Sequence, residues 1–253
     1  MPGWEGWLLA IGRTSGLFIS GPVLSSRQIP VQVKILLIFL LAGIIVHISP
    51  VRTAVPIQSS GVFWAAMAVE ILVGYTLGFV AYVLYAGIQL AGQLMDMQMG
   101  FGIVNVIDPQ SGTQVPLIGN FQYLLALMVF LGLNGHHLLF RALHDSYRFI
   151  PILGANFGGQ FMGFMTEMGL YIFVIGLKLA APVVASLFIT DLALGFIART
   201  VPQMNVFVVG LPLKIGAGLM MVMATMPVLV WFTQILMSRF FGYLDALILI
   251  LGK

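Results

Sequence analysis

The amino-acid sequence predicts an all-α protein of the integral-membrane type, with about six long apolar helices arranged as helical hairpins. Two properties predict this class: 60% of the residues are hydrophobic and only 8% are charged, whereas roughly a quarter of the residues in a soluble domain are charged. The mean hydropathy of +1.06 points the same way. Because ordinary surface rules would leave such a chain insoluble in water, we expect membrane lipid to surround part of it.

Apolar runs of about 17–25 residues are long enough to cross a membrane as helices. The sequence places them at 8–24, 35–51, 62–90, 117–139, 162–190 and 206–236, with a short tail helix at 239–251. Proline, glycine and polar residues separate the runs, and they end helices by removing a donor or freeing the backbone. The run 62–90 is longer than one span needs, which favours tilt or extension beyond the bilayer. Since no repeat or low-complexity linker interrupts the chain, we expect one domain, 1–253.

Composition and motifs exclude several functions. The net charge of +3 is dispersed, with no run of Lys or Arg, so nucleic acid is not an expected partner. The absence of cysteine rules out disulfides and thiolate metal sites within this chain. No P-loop, nucleophile elbow or Gly-rich dinucleotide motif occurs, so we expect neither an enzyme nor a cofactor. The start, MPGWEGWLLAIGRTSG, lacks the basic region of a cleaved signal and is expected to be mature sequence.

A polar, turn-rich insert, MGFGIVNVIDPQSGTQVP at 99–116, interrupts the apolar chain. It contains three glycines and two prolines but no Lys or Arg. Its first half is apolar, including Phe101, Ile103 and Val104, and a plain surface loop would not need these residues. From the residues alone, an ordinary re-entrant or connecting loop remains one interpretation of this insert.

Ionisable side chains inside the apolar runs are expected to pair, because each costs about 2.5–3.5 kcal/mol on insertion scales. They are Arg13, Glu70, Lys178 and Lys214. Glu70 shares a helix face with Gly74 and Gly78, at a spacing that lets another backbone approach closely. One interpretation is a proton or ion relay in a transporter. We favour the other, a buried pair that fixes helix register or subunit docking.

The stretch NGHHLLFRALHDSYRFIP does not predict a metal site. Adjacent His136 and His137 point about 100° apart on a helix, and His144 lies about two turns from His137, near 10 Å. Instead Arg141, Asp145 and a further arginine, Arg148, are spaced as an ion-pair row along one face.

Five segments, in order and covering nearly the whole chain, together resemble the FliR/SctT family of type III export-gate proteins. They are GPVLSSRQIPVQVKILLIFLLAGIIVHISP, EILVGYTLGFVAYVLYAGIQLAGQLMDMQMGF, DPQSGTQVPLIGNF, NGHHLLFRALHDSYRFIP and RTVPQMNVFVVGLPLKI. The resemblance implies a FliP-like helical part at 1–160 followed by a FliQ-like hairpin and tail at 161–253. Family members are lifted partly out of the bilayer. This would explain why the numbers of Lys and Arg differ little between the loops on the two sides of the helices, although membrane proteins usually carry more of them on the cytoplasmic side.

The resemblance also implies function and partners. One non-enzymatic copy would join FliP-like and FliQ-like subunits in a closed helical assembly, with FlhB-like and FlhA-like proteins nearby. This assembly would be the gate through which unfolded flagellar substrates cross the bacterial inner membrane at the flagellar basal body. The pieces DPQSGTQVP and NGHH look flagellar; an injectisome export gate is the alternative, and a secondary transporter using Glu70 is a more distant one.

By position, the resemblance makes the segment 101–118 a channel plug. The expected plug residues are Phe101, Gly102, Ile103, Val106, Ile107, Asp108, Pro109 and Pro116. The expected helix or subunit contacts are Glu70, Gly74, Gly78, Asn134, Gly135, Arg141, Asp145, Lys178 and Lys214.

Overall fold

The structure, a computed structural model, describes residues 4–26, 28–48, 59–102, 116–201 and 205–252. Seven α-helices and no β-strand lie within these ranges, which confirms the all-α class. The helices are α1 (Trp4–Ser20), α2 (Val31–Ile48), α3 (Ser60–Met99), α4 (Leu117–Gly132), α5 (Gly135–Phe149), α6 (Gly159–Thr200) and α7 (Val206–Leu251).

The helices begin and end several residues from the predicted bounds, with α3 reaching Met99 and α6 reaching Thr200. The pattern of helices differs from the predicted runs at two places. The run 117–139 is broken, because Asn134 adopts the left-handed conformation with φ of 56° and a helix cannot continue through it. The predicted run extends across this break although Asn134 and Gly135, a pair typical of turns, mark it in the sequence. The tail helix predicted at 239–251 is instead the end of α7, which continues through Pro212 and Pro227.

Four of these helices, α2, α3, α6 and α7, are long and apolar enough to cross a membrane, and the broken pair α4–α5 makes a fifth if it counts as one span. The helices differ greatly in how far the chain itself covers them. In α3, 67% of an apolar stretch of 18 residues is buried by the rest of the chain. The corresponding stretch is only 11% buried in α2 and 17% buried in α7. The protein is therefore a membrane protein whose outer helices present apolar surface to something other than water.

The chain forms two compact units, and α3, α4, α6 and α7 each contribute residues to both. The first unit comprises 1–84, 130–169 and 236–253, and the second comprises 85–129 and 170–235. Both units mix segments from the N-terminal and C-terminal parts of the sequence. The predicted division at residue 160 stays a prediction.

In the first unit, α1 is the central element. Its Leu9 packs in a buried cluster with Ala66 and Ile152, and its Trp7 ring lies 5.3 Å from that of Phe39 in α2. This packing surrounds the inward face of α1, where the unit's buried ionic pair lies.

Candidate functional site

A fully buried ion pair joins α1 to α3. The Arg13 Nε donates to Glu70 Oε2 at 2.6 Å and its Nη2 donates to Glu70 Oε1 at 3.1 Å. Both residues have no exposed surface. Two parallel bonds between a guanidinium and a carboxylate are the strongest geometry for this pairing, so each charge compensates the other away from water.

A third helix completes the surroundings of Arg13. Its Nη1 donates to the Ser146 hydroxyl of α5 at 3.1 Å, and its Nη2 also donates to the Ile150 carbonyl at 3.1 Å. The guanidinium lies over the Tyr147 ring, 4.1 Å from its centroid, a distance that suits a cation–π contact. The buried arginine thus holds α1, α3 and the end of α5 in one register.

Glycines allow α1 and α3 to approach closely enough for this pair to form. A Cβ on Gly74 would collide with the Arg13 carbonyl, and one on Gly78 would collide with the Ser20 hydroxyl. From the other helix, a Cβ on Gly16 would collide with the Ile71 carbonyl. Glu70 therefore lies beside a seam of close backbone contact, in which a larger residue has no space.

We expect Gly74→Ala to destabilise the first unit by about 1–3 kcal/mol, as overpacking does in a closed core, because the new methyl would meet backbone atoms of Arg13. Thermal unfolding of the detergent-extracted protein measures the effect. Gly61→Ala, in the same helix, is the matched control because no described atom lies within 4 Å of its Cβ position. Equal stability of the two variants would show that α1 and α3 can separate at no cost.

A second polar cluster lies in the other unit. The Lys214 ammonium of α7 is 2.8 Å from Asp191 Oδ1 of α6, and the Gln98 amide of α3 donates to Asp191 Oδ2 at 3.2 Å. These side chains are partly exposed. The cluster ties three helices together close to the end of α3, just before the polar insert.

Asp96 holds the two ends of that insert together. Its carboxylate accepts hydrogen bonds from the Ile118 and Gly119 amides at 3.1 and 3.2 Å, and its own carbonyl accepts from the Phe101 amide at 3.1 Å. Gly92 and Gly119 pack so closely that a Cβ on Gly92 would overlap the Gly119 backbone. A carboxylate at the start of α4 also complements the dipole of that helix.

Only the edges of the expected plug belong to the described residues. Phe101 and Pro116 are half-buried and Gly102 is exposed. Ile103, Val106, Ile107, Asp108 and Pro109 lie outside the described residues.

The remaining expected contact residues fall into different environments. Asn134 and Gly135 form the turn between α4 and α5, where Gly135 is buried against the Phe130 ring. Arg141 and Asp145 pair at 3.6 Å on an exposed surface, where an ion pair adds little stability.

Two of the predicted charges make no ion pair with any described residue. Arg148 makes no ion pair within the described ranges, so the predicted ion-pair row reduces to Arg141 and Asp145. Lys178 is exposed and likewise makes none there.

Sequence reasoning missed Asp96, Asp191 and the polar partners of Arg13. The first two were visible as lone acids within apolar segments, since such a residue needs a donor or a cation nearby. The roles of Ser146 and the Ile150 carbonyl had no sequence signal, because their contacts span 133 and 137 residues of chain.

Comparison with known proteins shows that the chain is similar to bacterial export proteins along most of its length. The family described as "Bacterial export proteins, family 1" matches residues 5–240. The chain is 42% identical to the flagellar biosynthetic protein FliR of Bacillus subtilis (strain 168) over 226 residues, which cover 88% of this chain and 86% of that protein. It is 33% identical to FliR of Escherichia coli (strain K12) over 249 residues, or 97% and 95% of the two chains. FliR of Aquifex aeolicus (strain VF5) is 28% identical over 229 residues, or 88% and 85%.

Proposed function

The chain belongs to the bacterial export proteins, family 1, and on that premise we propose that it is a non-enzymatic subunit of the flagellar type III protein export gate. The relatives that cover most of its length carry the name flagellar biosynthetic protein, which favours a flagellar gate over an injectisome gate. In this proposal it joins FliP-like and FliQ-like subunits in the inner membrane at the flagellar basal body. FlhB-like and FlhA-like proteins adjoin the gate, and unfolded flagellar proteins pass through it.

The uncovered apolar surface of the outer helices is the observation that best supports a role as one subunit among several. The most apolar window of α2 is 11% buried and that of α7 is 17% buried. Contiguous apolar patches on a soluble monomer rarely exceed a few hundred Å². Lipid or neighbouring subunits must therefore cover these helices in the working protein.

The expected contact residues fall into two groups: the buried ones make contacts within this chain, and the exposed ones are free to contact partner subunits. We assign Glu70, Gly74 and Gly78 to contacts within the chain, because α1 already covers them. Arg141 and Lys178 are exposed and available to partner subunits. Lys214 is engaged by Asp191 of its own chain.

The segment 101–118, which includes most of the polar insert, acts in this proposal as the channel plug. Apolar residues such as Phe101, Ile103 and Ile107 can exclude water from a constriction, and hydrophobic constrictions gate channels by dewetting. The fastening of Ile118 and Gly119 to Asp96 supports this role, because a plug needs a fixed base.

A secondary transporter that uses Glu70 receives less support. A relay carboxylate must bind and release its ion or proton, but both Glu70 oxygens accept hydrogen bonds from Arg13 in a site without exposed surface. Transporter sites also tend to form where helices are broken near the membrane midplane, whereas α3 is continuous around Glu70.

Co-purification tests the proposal. An affinity-tagged copy, expressed with candidate FliP-like and FliQ-like proteins, is expected to bring both down as one complex whose mass is read by native mass spectrometry. The chain expressed alone is expected to be poorly recovered, because its apolar helices then lack their partners. Recovery of a stable single chain that moves a small solute in proteoliposomes would favour the transporter instead.

A further inference from the structure

The second unit contains a small, partly enclosed cavity to which the proposed function assigns no role. Its volume is about 40 Å³, and residues of α3, α4, α6 and α7 line it, among them Met95, Gln122, Lys178, Pro182, Thr225 and Met226. One water molecule needs at least about 10–15 Å³ measured in this way. The cavity therefore has room for roughly two or three waters.

One wall of the cavity carries an unpaired polar atom. Gln122 is only 3% exposed, and its Oε1 has no hydrogen-bond partner among the described residues. Its Nε2 donates to the Met95 sulfur at 3.4 Å, a weak acceptor. Exchanging the amide oxygen and nitrogen would only move the unpaired group, so one end of this amide needs a partner from outside the chain.

Pro182 leaves a second hydrogen-bond acceptor in α6, on the other side of the cavity. Pro182 lies inside α6 and has no N–H, so the carbonyl of Lys178, four residues earlier, loses its usual helical donor. Both residues line the cavity. The Thr225 hydroxyl, also in the lining, donates to the Met221 carbonyl at 2.9 Å and keeps its lone pairs free to accept.

These groups determine the chemistry of the ligand. A carbonyl oxygen, an amide oxygen and a hydroxyl oxygen are acceptors, so the ligand must donate more than one hydrogen bond and fit a very small space. A bare cation is disfavoured because Lys178, a cationic residue, belongs to the same lining. Water meets both requirements, and buried waters typically make two to four hydrogen bonds to polar groups without other partners.

We propose that this cavity is a water-binding site, in which bound water bridges the Gln122 amide to the α6 backbone beside Pro182. The water replaces the hydrogen bond that Pro182 removes from α6 and satisfies the buried amide of α4. It thereby connects α4 to α6.

Radiolytic hydroxyl-radical footprinting tests this site, because X-rays generate radicals from bound water at the place where it lies. The sample is the full chain, extracted in mild detergent with the subunits that co-purify, and oxidation is read by mass spectrometry. Met95 and Met99 form a matched pair in α3, since they are 1% and 0% exposed but only Met95 lines the cavity. Met95 is expected to oxidise several-fold faster than Met99, and equal slow oxidation of the two would overturn the proposal.

A variant tests whether the oxidation of Met95 depends on the Gln122 side chain. Gln122→Leu removes the polar wall and is expected to lower the Met95 rate to that of Met99. Gln93→Leu, at an exposed position of α3, should leave the Met95 rate unchanged. Unaltered labelling of Met95 in a folded Gln122→Leu protein would contradict the site, and if that variant fails to fold, the comparison of Met95 with Met99 in the unmodified chain decides alone.

Discussion

Glu70→Ala is expected to leave little folded protein, because it strips the buried Arg13 of its counter-ion. Arg13 would keep only the Ser146 hydroxyl and the Ile150 carbonyl as acceptors, in a place without exposed surface. Removing one partner of a buried ion pair costs about 3–5 kcal/mol, a large share of the stability of a typical domain, about 5–15 kcal/mol. The yield of membrane-inserted protein and its thermal unfolding in detergent measure the loss.

Two further variants test whether the loss comes from the unpaired buried charge of Arg13. Arg13→Met combined with Glu70→Leu removes both charges and is expected to recover most of the lost stability, because apolar replacement of a whole buried pair is often neutral. Glu167→Gln, at an exposed position, removes a carboxylate without a buried partner and should change stability by less than about 0.5 kcal/mol.

Glu70→Gln distinguishes the pairing role from a transport role. The amide keeps the shape and part of the hydrogen bonding, so we expect reduced assembly and a proportional reduction in export. Normal assembly together with a collapse of export and a shifted pH dependence would instead make Glu70 a transport carboxylate.

How far the sequence predicts this molecule depends on the range of the interaction. Apolar runs predict the helices because hydrophobicity is a local property, and α2, α3, α6 and α7 follow from it. The glycine spacing at Gly74 and Gly78 predicts that some backbone comes close. It cannot name the partner, because the backbone it meets belongs to residues 13 to 21, more than fifty positions away.

The failures have equally specific causes. The break at Asn134 depends on one residue in a left-handed conformation, and the predicted run 117–139 extends across the polar residues from Asn134 to His137 that mark it. The tail helix predicted at 239–251 is the end of α7, because the polar pair Ser238 and Arg239 interrupts the apolar run without ending the helix. Long-range polar contacts such as Gln98 with Asp191 leave no pattern in the sequence.

Shortening the insert is expected to make the membrane leak without preventing assembly of the gate. The change is a deletion of Ile103 to Gln110 that joins Gly102 to Ser111. Assembly should persist because the contacts at the base of the insert, from Asp96 to the Ile118 and Gly119 amides, lie outside the deleted part. Water and ions cross where an apolar constriction is removed, so uptake of ions or small molecules should rise in cells that carry the complete gate.

Single substitutions should grade this leak by the apolar surface they remove. Phe101→Ala and Ile107→Ala are expected to weaken the seal, and Ser111→Ala, in the same insert, serves as the control with little effect. Loss of the complex on deletion would mean that the insert holds the subunits together and does not plug a channel. A complex that assembles, exports and stays tight would place the seal in another part of the gate, such as a ring of methionines from the FliP-like partner. Leak with intact assembly is the one outcome that a plug alone explains, because only then does the insert block the channel without supporting the subunits around it.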